Sequence, residues 1–165
     1  MSNNPKRARL RTGAVFATLL AAGLTLTAAP AQAGECPADK VLATPRTIED
    51  APDRGVERET LSMVALKGWR GVGDLFLRTR RLTVAKDGIV PTHYHDDRPS
   101  IVYIVTGSLI EHSTLCSVPI LHRAGEWSPE FGPGHGHWWE NKSGIEVVLL
   151  SSDVVPPEMM EDPAM

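Results

Sequence analysis

Short apolar, β-branched runs separated by turn residues fill most of the chain after residue 60. The clearest run, Ser100–Thr106 (SIVYIVT), has apolar residues on both faces and predicts a strand packed between two layers. Residues 61–66, 75–84 and 145–150 predict further strands, whereas no stretch shows a convincing helical stripe. The pattern therefore predicts an all-β sandwich or barrel of antiparallel strands.

Two stretches between these runs are predicted to be irregular. Asp87 and Gly88 form a turn signal just before a histidine pair, and residues 130–134 (EFGPG) have the composition of a loop. Residues 34–60 are rich in Pro, Asp, Glu and Arg and predict an extended arm. Residues 61–155 then form the barrel, and residues 156–165 a loose tail.

The first 33 residues have the features of a secretory signal peptide. Four basic residues precede an uncharged apolar stretch at positions 14–29, and Ala31-Gln32-Ala33 resembles a small-residue cleavage site. The apolar stretch is shorter than the ~20 residues that a membrane-spanning helix needs. We therefore predict cleavage after Ala33 and export to the periplasm or the extracellular space, with no membrane attachment afterwards.

Removal of residues 1–33 changes the charge of the chain. The full sequence has 17 basic and 20 acidic residues; the first 33 contain four of the basic ones, which leaves 13 basic and 20 acidic and a net charge of −7. Nucleic acid and anionic lipid are poor partners for such a surface. A small-molecule ligand or substrate is the expected partner, and the protein is compatible with a homodimer.

Two cysteines, Cys36 and Cys116, remain after cleavage. Two cysteines in an oxidising compartment most often pair, whereas in a reducing one they are more often separate buried thiols. Because the signal peptide indicates export, we predict a disulfide that ties the arm to the barrel.

Three histidines form a candidate metal site. His93 and His95 are one residue apart, so on a strand their imidazoles point to the same side. His137 lies far downstream and reaches them only if the chain folds back. Scattered histidines without a joint role are the alternative. Three neutral imidazoles suit one divalent transition ion, with Fe, Zn, Mn, Ni and Cu all open, and are poor ligands for magnesium or calcium.

The surrounding residues resemble the two motifs of the cupin superfamily. The first is matched by Gly88, His93-Tyr94-His95 and Gly107, and the second by Gly125, Gly134, His137 and Asn141. The resemblance implies a double-stranded β-helix, or jelly-roll barrel, of two antiparallel sheets. The glutamate ligand of the first motif falls on Ser100, so the resemblance implies a three-histidine centre with an undetermined fourth ligand.

Candidate pocket residues follow from strand parity and from this resemblance. Val102, Ile104 and Trp139 are predicted to wall the cavity, and Ser100 to face it. Glu111 faces either the cavity or solvent, with a solvated face favoured.

The remaining basic side chains are given ordinary structural roles. His135 is predicted to be exposed in its loop, and His112 and His122 to be surface or structural histidines. Arg80 and Arg81 point to opposite faces, and a place on the outer face is favoured over one in the cavity.

Two functions are open at this point. Open coordination positions on a transition ion favour a metal-dependent, dioxygenase-like enzyme acting on a small molecule. A non-catalytic exported protein that captures a small ligand or metal is the alternative. The sequence identifies no catalytic residue and no organic-cofactor motif.

Overall fold

The computed structural model describes residues 34–160; residues 1–33, which include the predicted signal peptide, and residues 161–165 lie outside the described part. Eight strands and one short 3₁₀ turn (Pro157–Met159) account for its regular structure. In chain order the strands are β1 (Arg54–Ala65), β2 (Phe76–Tyr94), β3 (Ser100–Thr106), β4 (Ser108–Ser113), β5 (Ile120–Arg123), β6 (Trp127–Glu130), β7 (Gly136–Glu140) and β8 (Val147–Val155).

The strands form an antiparallel barrel that is nearly closed. Neighbours follow the order β5-β4-β7-β2-β8-β3-β6, with β1 paired to β2. The long strand β2 pairs with β8 over residues 76–84 and with β7 over residues 89–94, so one strand belongs to both halves of the curled sheet. This arrangement confirms the predicted all-β fold of the cupin jelly-roll type.

The turn predicted at Asp87 and Gly88 is wrong. β2 runs through both residues, and its pairing with β1 jumps from Val56↔Val84 to Arg54↔Ile89. Asp87 has a positive φ of 60°, and a Cβ on Gly88 would lie 2.8 Å from the carbonyl oxygen of Ala85. The two turn-forming residues therefore make a β-bulge, which bends the strand without ending it.

A second irregularity in β2 lies just before the histidine pair. Val90 pairs with Trp139 and His93 with His137, so β2 has one more residue than β7 between these two pairs. Pro91 and Thr92 occupy this position, and proline, which has no N–H, is tolerated at such a bulge. The extra residue lets both Val90 and His93 point into the barrel.

Two strand boundaries differ from the sequence predictions. β1 begins at Arg54, inside the stretch predicted to be an arm. Glu130, predicted to open a loop, is the last residue of the short strand β6. The core between the two halves is built from apolar side chains of five strands: Leu82, Val84, Val90, Val102, Ile104, Leu109, Trp139, Val147 and Leu149.

Residues 34–53 run along one end of the barrel as an irregular segment. The amide of Gly34 donates to the carbonyl of Leu121 at 3.0 Å, and that of Leu42 donates to Leu115 at 2.9 Å. Cys36 and Cys116 are joined by a disulfide with an S–S distance of 2.01 Å. Across residues 34–160, no helix has the length and apolar character required to cross a membrane.

Candidate metal centre and its cavity

The structure brings the three predicted histidines together inside one end of the barrel. His93 on β2 is the direct register partner of His137 on β7, and His95 is the first residue after β2. The Nε2 atom of His137 lies 3.1 Å from that of His93 and 3.2 Å from that of His95. His95 and His137 are fully buried, so these nitrogens converge in a space shielded from solvent.

The opposite nitrogen of each ring has a hydrogen-bond partner. The Nδ1 atoms of His93 and His95 lie 2.8 Å from the backbone carbonyls of Pro91 and Arg98, and Nδ1 of His137 lies 2.9 Å from the carboxylate of Glu111. Carbonyl oxygens only accept, so Nδ1 of His93 and Nδ1 of His95 carry a proton and donate it, whereas Nδ1 of His137 faces both the Glu111 carboxylate and, at 3.3 Å, the indole N–H of Trp139. The neutral rings of His93 and His95 consequently direct their Nε2 lone pairs at Nε2 of His137.

The spacing of these nitrogens matches a metal site. Nitrogens held at ~2.1 Å from one ion, the usual imidazole distance, are separated by roughly 3.0 Å at right angles and ~3.4 Å at tetrahedral angles. The observed 3.1 and 3.2 Å fall in this interval. The donor set therefore fits a transition ion.

Glu130 adds a carboxylate that the sequence prediction omitted. Its Oε2 lies 3.3 Å from Nε2 of His95, and its Oε1 lies 3.8 Å from Nε2 of His137. Glu130 is 2% exposed, and its Oε1 has no hydrogen-bond partner. A buried carboxylate oxygen without a donor is costly, so an ion between Glu130 and the imidazoles would satisfy it.

Glu130 occupies the place that the resemblance assigned to residue 100. Ser100 on β3 and Glu130 on β6 are direct register partners, and both are buried. An acidic side chain thus reaches this place from the neighbouring strand. The sequence left the fourth ligand undetermined, and the structure offers Glu130 as a candidate beside the three histidines.

Burial controls the ionisation of the site. Desolvation, reinforced by His137, lowers the pKa of His93 well below its usual value and lowers that of His95 to about 3. Desolvation also raises the pKa of Glu130, an effect that the nearby His137 partly offsets. Burial alone would lower the pKa of His137, but the carboxylates of Glu130 and Glu111 raise it. His93 and His95 are therefore neutral, as metal ligands must be.

Glu111 is buried behind His137, so the solvated face favoured for it is wrong. One oxygen accepts from His137, and the other lies 2.8 Å from Nε2 of His122, which is also buried. Burial on its own raises the pKa of Glu111, but the hydrogen bonds from His122 and His137 hold it well below its ordinary range. The ionised Glu111 fixes the ring orientation of His137, as a carboxylate partner does in many metal sites.

A small cavity opens beside the histidines. The cavity has a volume of about 30 Å³, which leaves room for roughly two or three waters. Of the predicted pocket residues, Val102 and Trp139 line it, while Ile104 and Ser100 are buried nearby without lining it. The full lining comprises Arg58, Arg80, Leu82, Val90, His93, His95, Arg98, Val102, Glu130, Trp139, Leu149 and Ser151.

Arg80 lines this cavity, so the outer face favoured for it is wrong; Arg81, one residue on, is exposed and pairs with Glu59. A signal for this was present, because Arg80 shares strand parity with Leu82 and Val84, which are core residues. The sequence has no such parity signal for Arg98 or Glu130, because their positions depend on the path of a loop and on strand pairing.

The remaining histidines have structural contacts. His112 stacks on Trp138 with ring centroids 3.9 Å apart and lies 3.1 Å from Glu140. His135 is half-buried, whereas an exposed position was expected, and groups with Glu111 and His137. Glu111 already accepts from two imidazoles, and His137 uses its Nδ1 for that bond. The group of Glu111, His135 and His137 therefore supports the three-histidine group and is not a second metal site.

The chain was compared with known families, curated proteins and solved structures. No protein-family profile matches the chain, and no curated protein matches it. Solved structures similar to it include an oxalate oxidase in complex with glycolate, at 17% identity over 67% of this chain and 59% of that one, with a TM-score of 0.46. KdgF from Halomonas sp. is 13% identical over 64% and 84% of the two chains, with a TM-score of 0.49.

A third solved structure, a Cupin 2 conserved barrel domain protein from Salinispora arenicola, is 18% identical over 66% and 85% of the chains, with a TM-score of 0.45. The strand order and the two histidine motifs on the paired strands β2 and β7 decide the fold. The barrel has the jelly-roll fold that the cupin resemblance implied. At these identities the comparisons concern the fold alone, and the chain spans 59% of the oxalate oxidase.

Proposed function

We propose that this cupin binds one divalent transition ion through His93, His95, His137 and Glu130 and uses it to act on a small molecule as a dioxygenase-like enzyme. The observation that carries the proposal is the convergence of three imidazole Nε2 atoms, with that of His137 lying 3.1 and 3.2 Å from the other two, beside the buried Glu130, whose Oε1 has no hydrogen-bond partner.

Each part of the site has a definite task in this proposal. The carbonyls of Pro91 and Arg98 and the carboxylate of Glu111 hold the three rings in one orientation, so no ring has to reorganise when it acts as a ligand. Val90, Val102, Trp139 and Leu149 exclude bulk water from the cavity. Arg80 and Arg98 give the same cavity a positive end.

A bound transition ion would supply Lewis acidity, and iron would also supply redox chemistry toward dioxygen. Four protein ligands leave one or two positions of a five- or six-coordinate ion for a small molecule. The ion's identity is part of the test, because zinc would direct the site to hydrolysis or capture.

Export of the protein is part of the proposal. The basic and apolar N-terminal sequence supports it, and so does a disulfide between Cys36 and Cys116, since disulfides persist in oxidising compartments. Both observations favour a site that acts outside the cytoplasm.

The deciding experiment is metal analysis of untagged protein, followed by oxygen-uptake measurements on the iron-loaded form with small phenols, thiols and keto compounds. We expect one equivalent of a transition metal in the wild type and its loss in His137→Ala, whereas His112→Ala, which changes a histidine outside the site, should retain it. Equal metal content in both variants would refute the metal centre.

Capture without turnover is the second candidate, and the small cavity favours it. A space of about 30 Å³ admits only a compact ligand beside an ion. Saturable binding with no oxygen consumption or hydrolysis under any metal would establish this function instead.

A further inference from the structure

A buried cluster of arginines adjoins the metal centre, with less negative charge than positive. Arg78 donates to both carboxylate oxygens of Asp153, at 3.0 and 2.7 Å. Arg80 and Arg98 share the same Asp153 at 3.3 and 3.2 Å. Three guanidinium groups therefore surround a single carboxylate, and all four residues are at most 5% exposed.

The positive charge of Arg80 persists at physiological pH. Burial, opposed by Asp153 and reinforced by Arg78 and Arg98, lowers the pKa of Arg80 only to about 10, so it stays protonated. Buried guanidinium N–H groups without an acceptor are expensive, and Arg98 and Arg58 have such groups. The cluster is therefore suited to an additional anion.

Unsatisfied guanidinium atoms indicate where that anion would lie. Arg98 uses Nη1 for Asp153, but its Nε and Nη2 are buried without a hydrogen-bond partner. Arg58 donates from Nη1 to Asp53 at 2.9 Å, while its Nη2 is buried and unpartnered. Both arginines line the cavity that His93 and His95 border. Arg78, which does not line it, holds Asp153 in place.

The chemistry of the lining narrows the ligand class. Guanidinium N–H groups in a planar fork match a carboxylate, and the rest of the wall is mainly apolar, with Leu82, Val90, Val102 and Trp139. A cavity with room for two or three waters limits the ligand to a short-chain acid. We propose that the cavity binds a small carboxylic acid whose carboxylate lies on Arg98 and Arg58 and whose second polar group faces the histidines.

The contact between the ligand's carboxylate and the arginines is argued from the arginine cluster alone. The contact between the ligand's second polar group and an ion rests on the proposed function. The test is isothermal calorimetry with malonate, a short dicarboxylate, and with malonamide, its neutral counterpart of similar shape. Both are titrated into metal-loaded and metal-free protein at constant ionic strength. The variants are Arg98→Met, Arg98→Lys and, as a matched control, Arg81→Met, which removes an exposed arginine from the same strand as Arg80.

We expect the wild type to bind malonate and to discriminate strongly against malonamide. Arg98→Met should weaken malonate binding by roughly tenfold to a hundredfold, as loss of a charged hydrogen-bond partner does. Arg98→Lys should recover part of the loss, and Arg81→Met should bind like the wild type. Thermal melts establish that the variants are folded, and the wild-type comparison of malonate with malonamide needs no variant.

Three results would overturn the assignment: no malonate binding by the wild type, equal binding of malonate and malonamide, or wild-type affinity in Arg98→Met. Binding of chloride or phosphate but not of malonate would also overturn it, because the site would then hold inorganic anions only. Malonate binding by a protein that takes up no metal would refute the metal centre and support the arginine site. Metal uptake without malonate binding would refute the arginine site alone.

Discussion

At the scale of single residues, the position of the acidic ligand distinguishes this site. Ser100 stands where the resemblance places a glutamate, and Glu130 faces the histidines from the adjacent strand. Because the two residues are register partners, their side chains leave paired backbones on the same face of the sheet. A carboxylate from either strand can therefore reach the same space.

Because either strand can supply the carboxylate, moving it from residue 130 to residue 100 has a predictable outcome. Glu130→Ser should weaken metal binding by more than the roughly 10- to 100-fold that loss of an outer partner causes. Adding Ser100→Glu to that variant should recover most of the loss, because the carboxylate returns from β3. Competition titrations with a metal-sensitive dye measure both, and Glu146→Ser, which removes an exposed acid, is the control. Unchanged affinity in Glu130→Ser would exclude Glu130 as a ligand.

The buried histidines predict a pH effect on the metal-free protein. The pKa of His95 is lowered to about 3 from an ordinary value near 6.5. Between these values the unfolded chain binds a proton at this residue that the folded chain does not, so stability falls as the pH falls from 6.5 toward 3. His95 contributes a slope of up to about 1.4 kcal/mol per pH unit.

Urea unfolding of wild type and His95→Gln at several pH values in this window, with a chelator present, measures that slope. The other titrating groups are common to both proteins, so the difference between the curves reports His95. The wild type should lose more stability on acidification than the variant. Parallel curves would show that His95 takes up its proton in the folded state as readily as in the unfolded one.

At the scale of elements, the bulge at residues 87 and 88 lets β2 serve both halves of the barrel. A Cβ on Gly88 would lie 2.8 Å from the Ala85 oxygen and 2.8 Å from Cγ1 of Val84, closer than real contacts allow. Gly88→Ala should therefore lower the free energy of unfolding by about 1–3 kcal/mol. Gly73→Ala is the matched control, because nothing lies within 4 Å of a Cβ there. Equal melting curves for the two variants would contradict this account.

The elements also show how far sequence reasoning extends. The inward direction of His93 and His95 follows from strand parity, and the apolar run of β3 gave its limits because no long-range information was needed. Glu130 was missed because a four-residue strand containing a proline, WSPE, has too little pattern to be recognised. Its role depends on pairing with β3, which a single sequence does not specify.

Arg98 illustrates the same limit. Its backbone carbonyl orients His95, and its side chain enters the cavity, yet it lies in a short polar connection between β2 and β3. Such connections are normally exposed, so burial of a charged residue there has no local signal.

At the scale of the whole molecule, one experiment tests both signal-peptide cleavage and disulfide formation. Intact-mass measurement of the secreted protein should give the mass of residues 34–165 without both thiol hydrogens, because cleavage follows Ala33 and Cys36 is joined to Cys116. Reduction followed by alkylation should then add two labels. Retention of residues 1–33 would contradict the signal peptide, and labelling without reduction would contradict the bridge.

The extra residue in β2 between Val90 and His93 makes the strand less regular but directs the histidine side chains into the barrel. Before it the inward positions are even-numbered, as with Arg80, Leu82 and Val90, and after it they are odd-numbered, as with His93 and His95. Thr92 is held there by Ala51, whose amide donates to its Oγ1 at 2.9 Å. If residues 90–95 kept an unbroken alternation with Thr92 in place, β2 would run as a regular strand, but both imidazoles would point out of the barrel. A β2 strand without this bulge would therefore bring neither histidine to the candidate metal site.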